Sequence, residues 1–140
     1  MANEARVYAY GSENCIVRQF TVADANALAK GAALEQSGDK TGITHAGSGG
    51  ETPLGFIVEE KEASDGKTQI GCQRTGAIVA VADGTVTTGD LVELGAVANR
   101  VRTVPPSVSL ISQANAKRIL GRAVDTATDG NNVEIVLTLG

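Results

Sequence analysis

Polar and apolar residues alternate along this chain in short stretches, and the period is two almost everywhere, which predicts strands. From Ala5 to Tyr10 the alternation sets Arg6, Tyr8 and Tyr10 on one face and Val7 and Ala9 on the other. A second stretch, Cys15 to Val22, places Ile16, Arg18 and Phe20 together. Gly76 to Ala82 is apolar on both faces and ends at the turn pair Asp83-Gly84, so it is expected to be the most buried strand. Val133 to Leu139 predicts a last strand, entered through Asp129-Gly130. Helical signal is thin: Asp24 to Lys30 and Gln113 to Leu120 each predict one or two turns. Ser37 to Thr52, rich in Gly and polar residues, has nothing to bury and reads as a long mobile hairpin loop. Pro105-Pro106 marks a stiff extended step.

The pattern also repeats in order. Lys30-Gly31-Ala32-Ala33-Leu34, Pro53-Leu54-Gly55-Phe56-Ile57-Val58, and Ser64-Asp65-Gly66 leading into Thr68-Gln69-Ile70 make a first copy. Thr88-Gly89-Asp90-Leu91-Val92, Ile119-Leu120-Gly121-Arg122-Ala123-Val124, and Thr128-Asp129-Gly130 leading into Val133-Glu134-Ile135 make a second. An offset of roughly 60 residues that drifts by several is what two copies of one strand-turn-strand unit show after loop insertions. Two copies are too few for a solenoid. The expected fold is therefore mainly β: a single compact β-barrel or sandwich of two similar half-repeats, about 30–75 and 88–140, with at most one or two short helices. Residues 1–22 precede the repeats as an N-terminal arm or edge strands, and 23–140 form the β domain.

Composition narrows the function. At 140 residues the chain is one ordinary domain, and 42% hydrophobic residues support a core that 3% aromatics oblige Val, Ile, Leu and Ala to fill. Twelve basic and 16 acidic residues, mixed in sign along the chain, leave a net charge of −4 with no basic stripe, which argues against a nucleic-acid partner. No stretch is long and apolar enough for a membrane span, and the N-terminus lacks the order of a signal peptide, so synthesis in a cytosol is expected. Cys15 and Cys72 lie far apart and read as reduced, half-buried thiols.

Candidate chemistry is sparse. The only histidine, His45, falls in the Gly-rich loop and reads as a solvated side chain with no partner nucleophile. Zinc bound by Cys15, Cys72 and His45 would lack a fourth ligand and any short ligand spacing. Gly47-Ser48-Gly49-Gly50 leads into Glu51-Thr52-Pro53 and a strand, not into a helix that could meet a phosphate. Asp125 to Gly130 has too few oxygen ligands for calcium and reads as a hairpin turn. Glu59-Glu60-Lys61-Glu62 reads as a solvated strand end. No catalytic residue, metal or cofactor is predicted, and an enzyme is not expected.

Two resemblances bear on this. Asp83 to Gly95 resembles the strand-turn-strand phrase of biotin- and lipoate-carrying domains, yet no Lys lies between Lys67 and Lys117 to be modified. More of the chain, about residues 23 to 140, resembles the small capsid decoration or cement proteins of tailed bacteriophages. The residues that carry this likeness are Gly76-Ala77-Ile78-Val79, Thr88-Gly89-Asp90-Leu91-Val92, Asn99-Arg100-Val101, Ile119-Leu120-Gly121-Arg122-Ala123-Val124 and Asn131 to Leu137. The resemblance implies a virion structural protein, made in the host cytoplasm, that sits on the outer surface of an expanded capsid. Its partners would be the major capsid protein and itself, as a homotrimer bridging neighbouring capsomers. Such a role needs no cofactor; it needs a rigid body and a self-complementary face. Arg6, Tyr8, Tyr10, Arg18 and Phe20 hold three of the four aromatics beside two Arg, the types that anchor interfaces, and are the expected capsid or subunit contacts. Their alternative is service as core strands. Rival classes are a tail, fibre or carbohydrate-binding β-module, the last short of aromatic platforms with two Tyr and two Phe.

Overall fold

Residues 3–7, 15–109 and 112–140 are described by the computed structural model. Among them eleven strands and one helical turn follow in the order β1 (Arg6–Val7), β2 (Val17–Thr21), β3 (Ala33–Gly38), β4 (Thr41–Thr44), β5 (Pro53–Ile57), β6 (Gln69–Gln73), β7 (Thr75–Ala82), β8 (Leu91–Leu94), β9 (Arg100–Thr103), α1 (Gln113–Ala116), β10 (Gly121–Ala123) and β11 (Asn132–Thr138). The protein is mainly β, with two similar halves. Each half closes on itself: one ring runs β2-β4-β3-β5-β6, and the other runs β7-β11-β10-β8-β9, closed by parallel pairing of β7 with β9.

The two rings have the same wiring. In each, the first strand pairs parallel with the third and antiparallel with the fifth, while the second pairs antiparallel with both third and fourth. Even an isolated two-residue bridge recurs, Leu28 with Lys61 in the first half and Val86 with Ala127 in the second. The repeated phrases in the sequence lie on equivalent strands: β3 with β8, β5 with β10, β6 with β11. Each repeat also takes in the strand before it, so β2 and β7 open the two halves. Of residues 1–22, β1 lies as a two-residue edge strand along Ile78 and Val79 of β7, and β2 is a full member of the first ring.

Packing explains which residues went where. The first ring is filled by Phe20, Leu34, Leu54, Ile57 and Ile70, and the second by Ile78, Val92, Leu94, Val101, Leu120 and Ile135, each contributing about 1.5–3 kcal/mol by leaving water. Ala33 and Phe56 belong to the first ring but pack into the core of the second, so the seam between the rings is apolar at its centre. Between β6 and β7 the chain crosses that seam through the single residue Arg74. Its guanidinium donates to the carbonyls of Leu54, Leu139 and Gly140, while the buried Gln73 amide donates to Thr75 and Ala77. The junction is thus a locked corner.

Several expectations change. The most buried strand is β5, sealed along its whole length, whereas β7 alternates because one face of a ring strand must look outward. Asp24 to Lys30 forms turns in place of a helix, since both backbone groups of Leu28 are taken by Lys61, at 2.8 and 2.9 Å. The second helical stretch shrinks to α1, capped by Ser112. Ser37 to Thr52 is no mobile loop: it contains β4, and its second half packs against the other ring.

Lys61, expected in solvent, is buried. Its Nζ donates to the carbonyls of Asp24 (2.6 Å), Asn26 (3.1 Å) and Glu62 (3.0 Å) and pairs with Asp65 at 3.1 Å. The Lys67 amide first, and Lys61 with it, hold the Asp65 carboxyl below its ordinary range. Lys61→Met keeps the stem but strands those acceptors, and should lower unfolding free energy by about 3 kcal/mol in urea titrations. The second half has Ala127 at the equivalent bridge, so Ala127→Lys should not stabilise it.

Candidate functional site

Two groups of residues stand out, one from the N-terminal strands and one at the seam. Arg6 is exposed on β1, and Tyr8 and Tyr10 lie outside the described residues. Arg18 is exposed on β2, and two positions on, Phe20 turns into the first ring at 5% exposure. Arg18 and Arg74 lie over the Phe20 ring at 5.6 and 5.3 Å from its centre, so the ring is within cation–π reach of two guanidinium groups. Burial first, then the charge of Arg18, lowers the Arg74 pKa from its ordinary value.

The seam holds the denser polar cluster. Glu93, on β8 and fully buried, accepts from Arg102 Nε at 2.9 Å, from Arg118 Nε at 2.7 Å and from Arg118 Nη2 at 2.7 Å. Its hydrogen bonds raise the Arg118 pKa further. Gly49 and Gly50 lie flat on the two guanidinium groups, where any Cβ would strike Arg102 and Arg118. Both glycines also have positive φ, 97° and 78°, a conformation that strains a residue with a Cβ, so the backbone as well as the close approach calls for Gly.

Beside them, His45 is fully buried, contrary to the solvated loop histidine expected. Its Nε2 meets the Gly95 carbonyl of the second ring at 2.9 Å, and its Nδ1 faces Glu51 Oε1 at 3.5 Å. Glu51 is fixed by the Gly49 amide, which donates to both of its oxygens. Glu35, from β3, completes a triad in which one ligand atom of each residue lies within 4.8 Å of the others. Burial first, and the Glu51 charge second, raises the Glu35 pKa. Sequence reasoning missed this triad because its members stand ten and six residues apart, with no short ligand spacing. The clustered glycines after His45 were the usable signal, since they permit tight packing as readily as mobility.

The ring nitrogens of His45 meet a carbonyl and a carboxylate, not a hydroxyl or thiol, so a nucleophile-base pair is not built there. Cys72 is buried, with its thiol pushed up to about 12 by that burial, and is correspondingly unreactive; Cys15 is half-buried. On the outer wall of the second ring, Leu91, Arg122, Val124 and Val136 line a shallow apolar depression.

No protein-family model matches the chain, and no curated protein matches it. Among solved structures, the fold is similar to the N base of the head fiber gp8.5 of bacteriophage phi29. The TM-score is 0.55, at 17% identity, over 90% of this chain and 96% of that one. At that identity the likeness is one of fold.

Proposed function

We propose that this protein is a structural component of a phage virion, binding the outer surface of an expanded capsid and stabilising it by bridging neighbouring capsomers. The observation that carries this reading is the fold shared, over nearly the full length of both chains, with the base of a phage head fiber. The sequence resemblance to capsid decoration proteins points the same way. A body of two closed rings with a locked junction suits a load-bearing clamp, because little of it can yield when neighbours are pulled apart. The partners are the major capsid protein and two further copies of this chain. No catalysis is assigned.

The shell and subunit contacts fall to Arg6, Tyr8, Tyr10 and Arg18, with Phe20 supporting Arg18 from below. Deleting residues 1–12 would also remove Ala5 from the core, so point variants are the cleaner test. The untagged protein should sediment as a trimer and pellet with expanded shells only. Tyr8→Ala combined with Tyr10→Ala should keep the fold by circular dichroism and lose co-sedimentation. A monomer that ignores both shell forms would refute the role; unchanged binding by the double variant would move the contacts elsewhere. The fibre-base likeness favours a second reading, in which the chain mounts a longer appendage on the shell. Electron micrographs of decorated shells separate the two, by knobs flush with the surface or a projection above it.

A further inference from the structure

The seam triad has the make-up of a metal site. His45 donates its Nε2 hydrogen to the Gly95 carbonyl, and that bond selects the tautomer whose Nδ1 carries a lone pair. This Nδ1 is fully buried and makes no hydrogen bond to any described residue. It points at Glu51, whose carboxylate is itself a lone-pair donor, 3.5 Å away. Two lone-pair donors facing each other out of water repel unless a cation lies between them. Arg118 is near enough for its charge to act on Glu51, but Arg102 and Arg118 are both hydrogen-bonded to Glu93 and neither bonds to Nδ1.

We propose that Glu35, His45 and Glu51 bind one divalent transition-metal ion of the zinc class, which ties the Gly-rich loop to the seam between the rings. One imidazole and two carboxylates match that class, with the imidazole oriented by a backbone carbonyl as metal-bound histidines commonly are. Bonds of about 2.0–2.2 Å place tetrahedral ligands roughly 3.3 Å apart, so the triad must contract from its present spread. Glu35 and Glu51 are part-exposed, and rotation of their side chains supplies that movement, Glu51 giving up one of its two bonds from the Gly49 amide; His45 stays put. Three protein ligands leave further positions to water.

The test is calorimetric titration of the untagged, chelator-treated protein with zinc chloride. One equivalent should bind per chain and raise the melting temperature. Glu35→Gln keeps an acceptor for the Ala46 amide and leaves the core untouched, so it should stay folded while weakening zinc at least about tenfold. His45 is the chain's single histidine, so its imidazole nitrogen resonances report directly: Nδ1 should shift on zinc addition, and Nε2 should remain protonated. Absence of saturable zinc binding would overturn the site in favour of a proton shared between Nδ1 and Glu51. Zinc binding of equal strength in Glu35→Gln, or an unmoved Nδ1 resonance, would overturn it as well.

Discussion

Glu93→Ala should lower the unfolding free energy by about 3 kcal/mol, seen as a shift of the urea midpoint at unchanged slope. Removing one partner of a buried ion pair costs about 3–5 kcal/mol, because the charge left behind has lost its solvation and its counter-ion together. Here two charges are left, Arg102 and Arg118, with side chains 25% and 17% exposed. That contact with water places the expected loss at the low end of the range. The damage should spread beyond β8, since Gly49 and Gly50 rest on those guanidinium groups and the Gly50 amide donates to Leu94 at 3.0 Å. Hydrogen exchange at Gly50 should therefore quicken. In an Arg118→Ala background Glu93→Ala should cost clearly less, because the two act as one unit. A loss under about 1 kcal/mol would make the network an ordinary surface arrangement.

Gly31→Ala should cost about 2–5 kcal/mol, and its effect should concentrate on the N-terminal strand. Gly31 has φ of 87°, which costs a residue with a Cβ about 1–2 kcal/mol. A Cβ there also strikes the Ala5 carbonyl, and forcing a methyl into a packed contact adds about 1–3 kcal/mol. The backbone can relieve the overlap by breaking the 2.6 Å bond from the Ala5 amide to the Gly31 carbonyl, which releases β1 from β7. Both rings stay closed without β1. Exchange at the Val7 amide should accelerate while that of the core strands β5 and β11 holds, and the variant should lose shell binding if Arg6 on that strand is one of the contacts. Uniform acceleration across the protein would place β1 inside the cooperative core.

The repeat was legible because it is written in residues that backbone geometry demands. Gly before β3 and β8, the Leu-Gly pair of β5 and β10, and Asp-Gly before β6 and β11 recur because the same turns and close approaches recur. The opening strands β2 and β7 share no such residues: one is polar outside with a single buried Phe, the other runs Gly-Ala-Ile-Val. Their equivalence lies in hydrogen-bond partners, which side chains do not announce. Lys61, His45 and Glu93 misled or escaped for a related reason. Polar side chains normally face water, and each of these is buried only because acceptors or donors from distant segments converge on it. The expected interface residues split by burial, with Arg18 exposed and Phe20 buried beneath it on the same face of β2.

Closure of both rings has a consequence for how copies can meet. An open sheet presents rows of unpaired amide and carbonyl groups, a template on which neighbouring chains add strand to strand without limit. In this protein each ring strand has a neighbour on both sides, although the joins are uneven: β2 meets β4 only at Thr21 with Thr41, and β1 adds an edge two residues long. Copies crowded together therefore find only short backbone edges, such as residues 17–20 on the β4 side of β2, in place of a long open sheet. A lasting contact between them is expected to rest mainly on side chains, so it can be tuned or abolished one residue at a time without opening either ring.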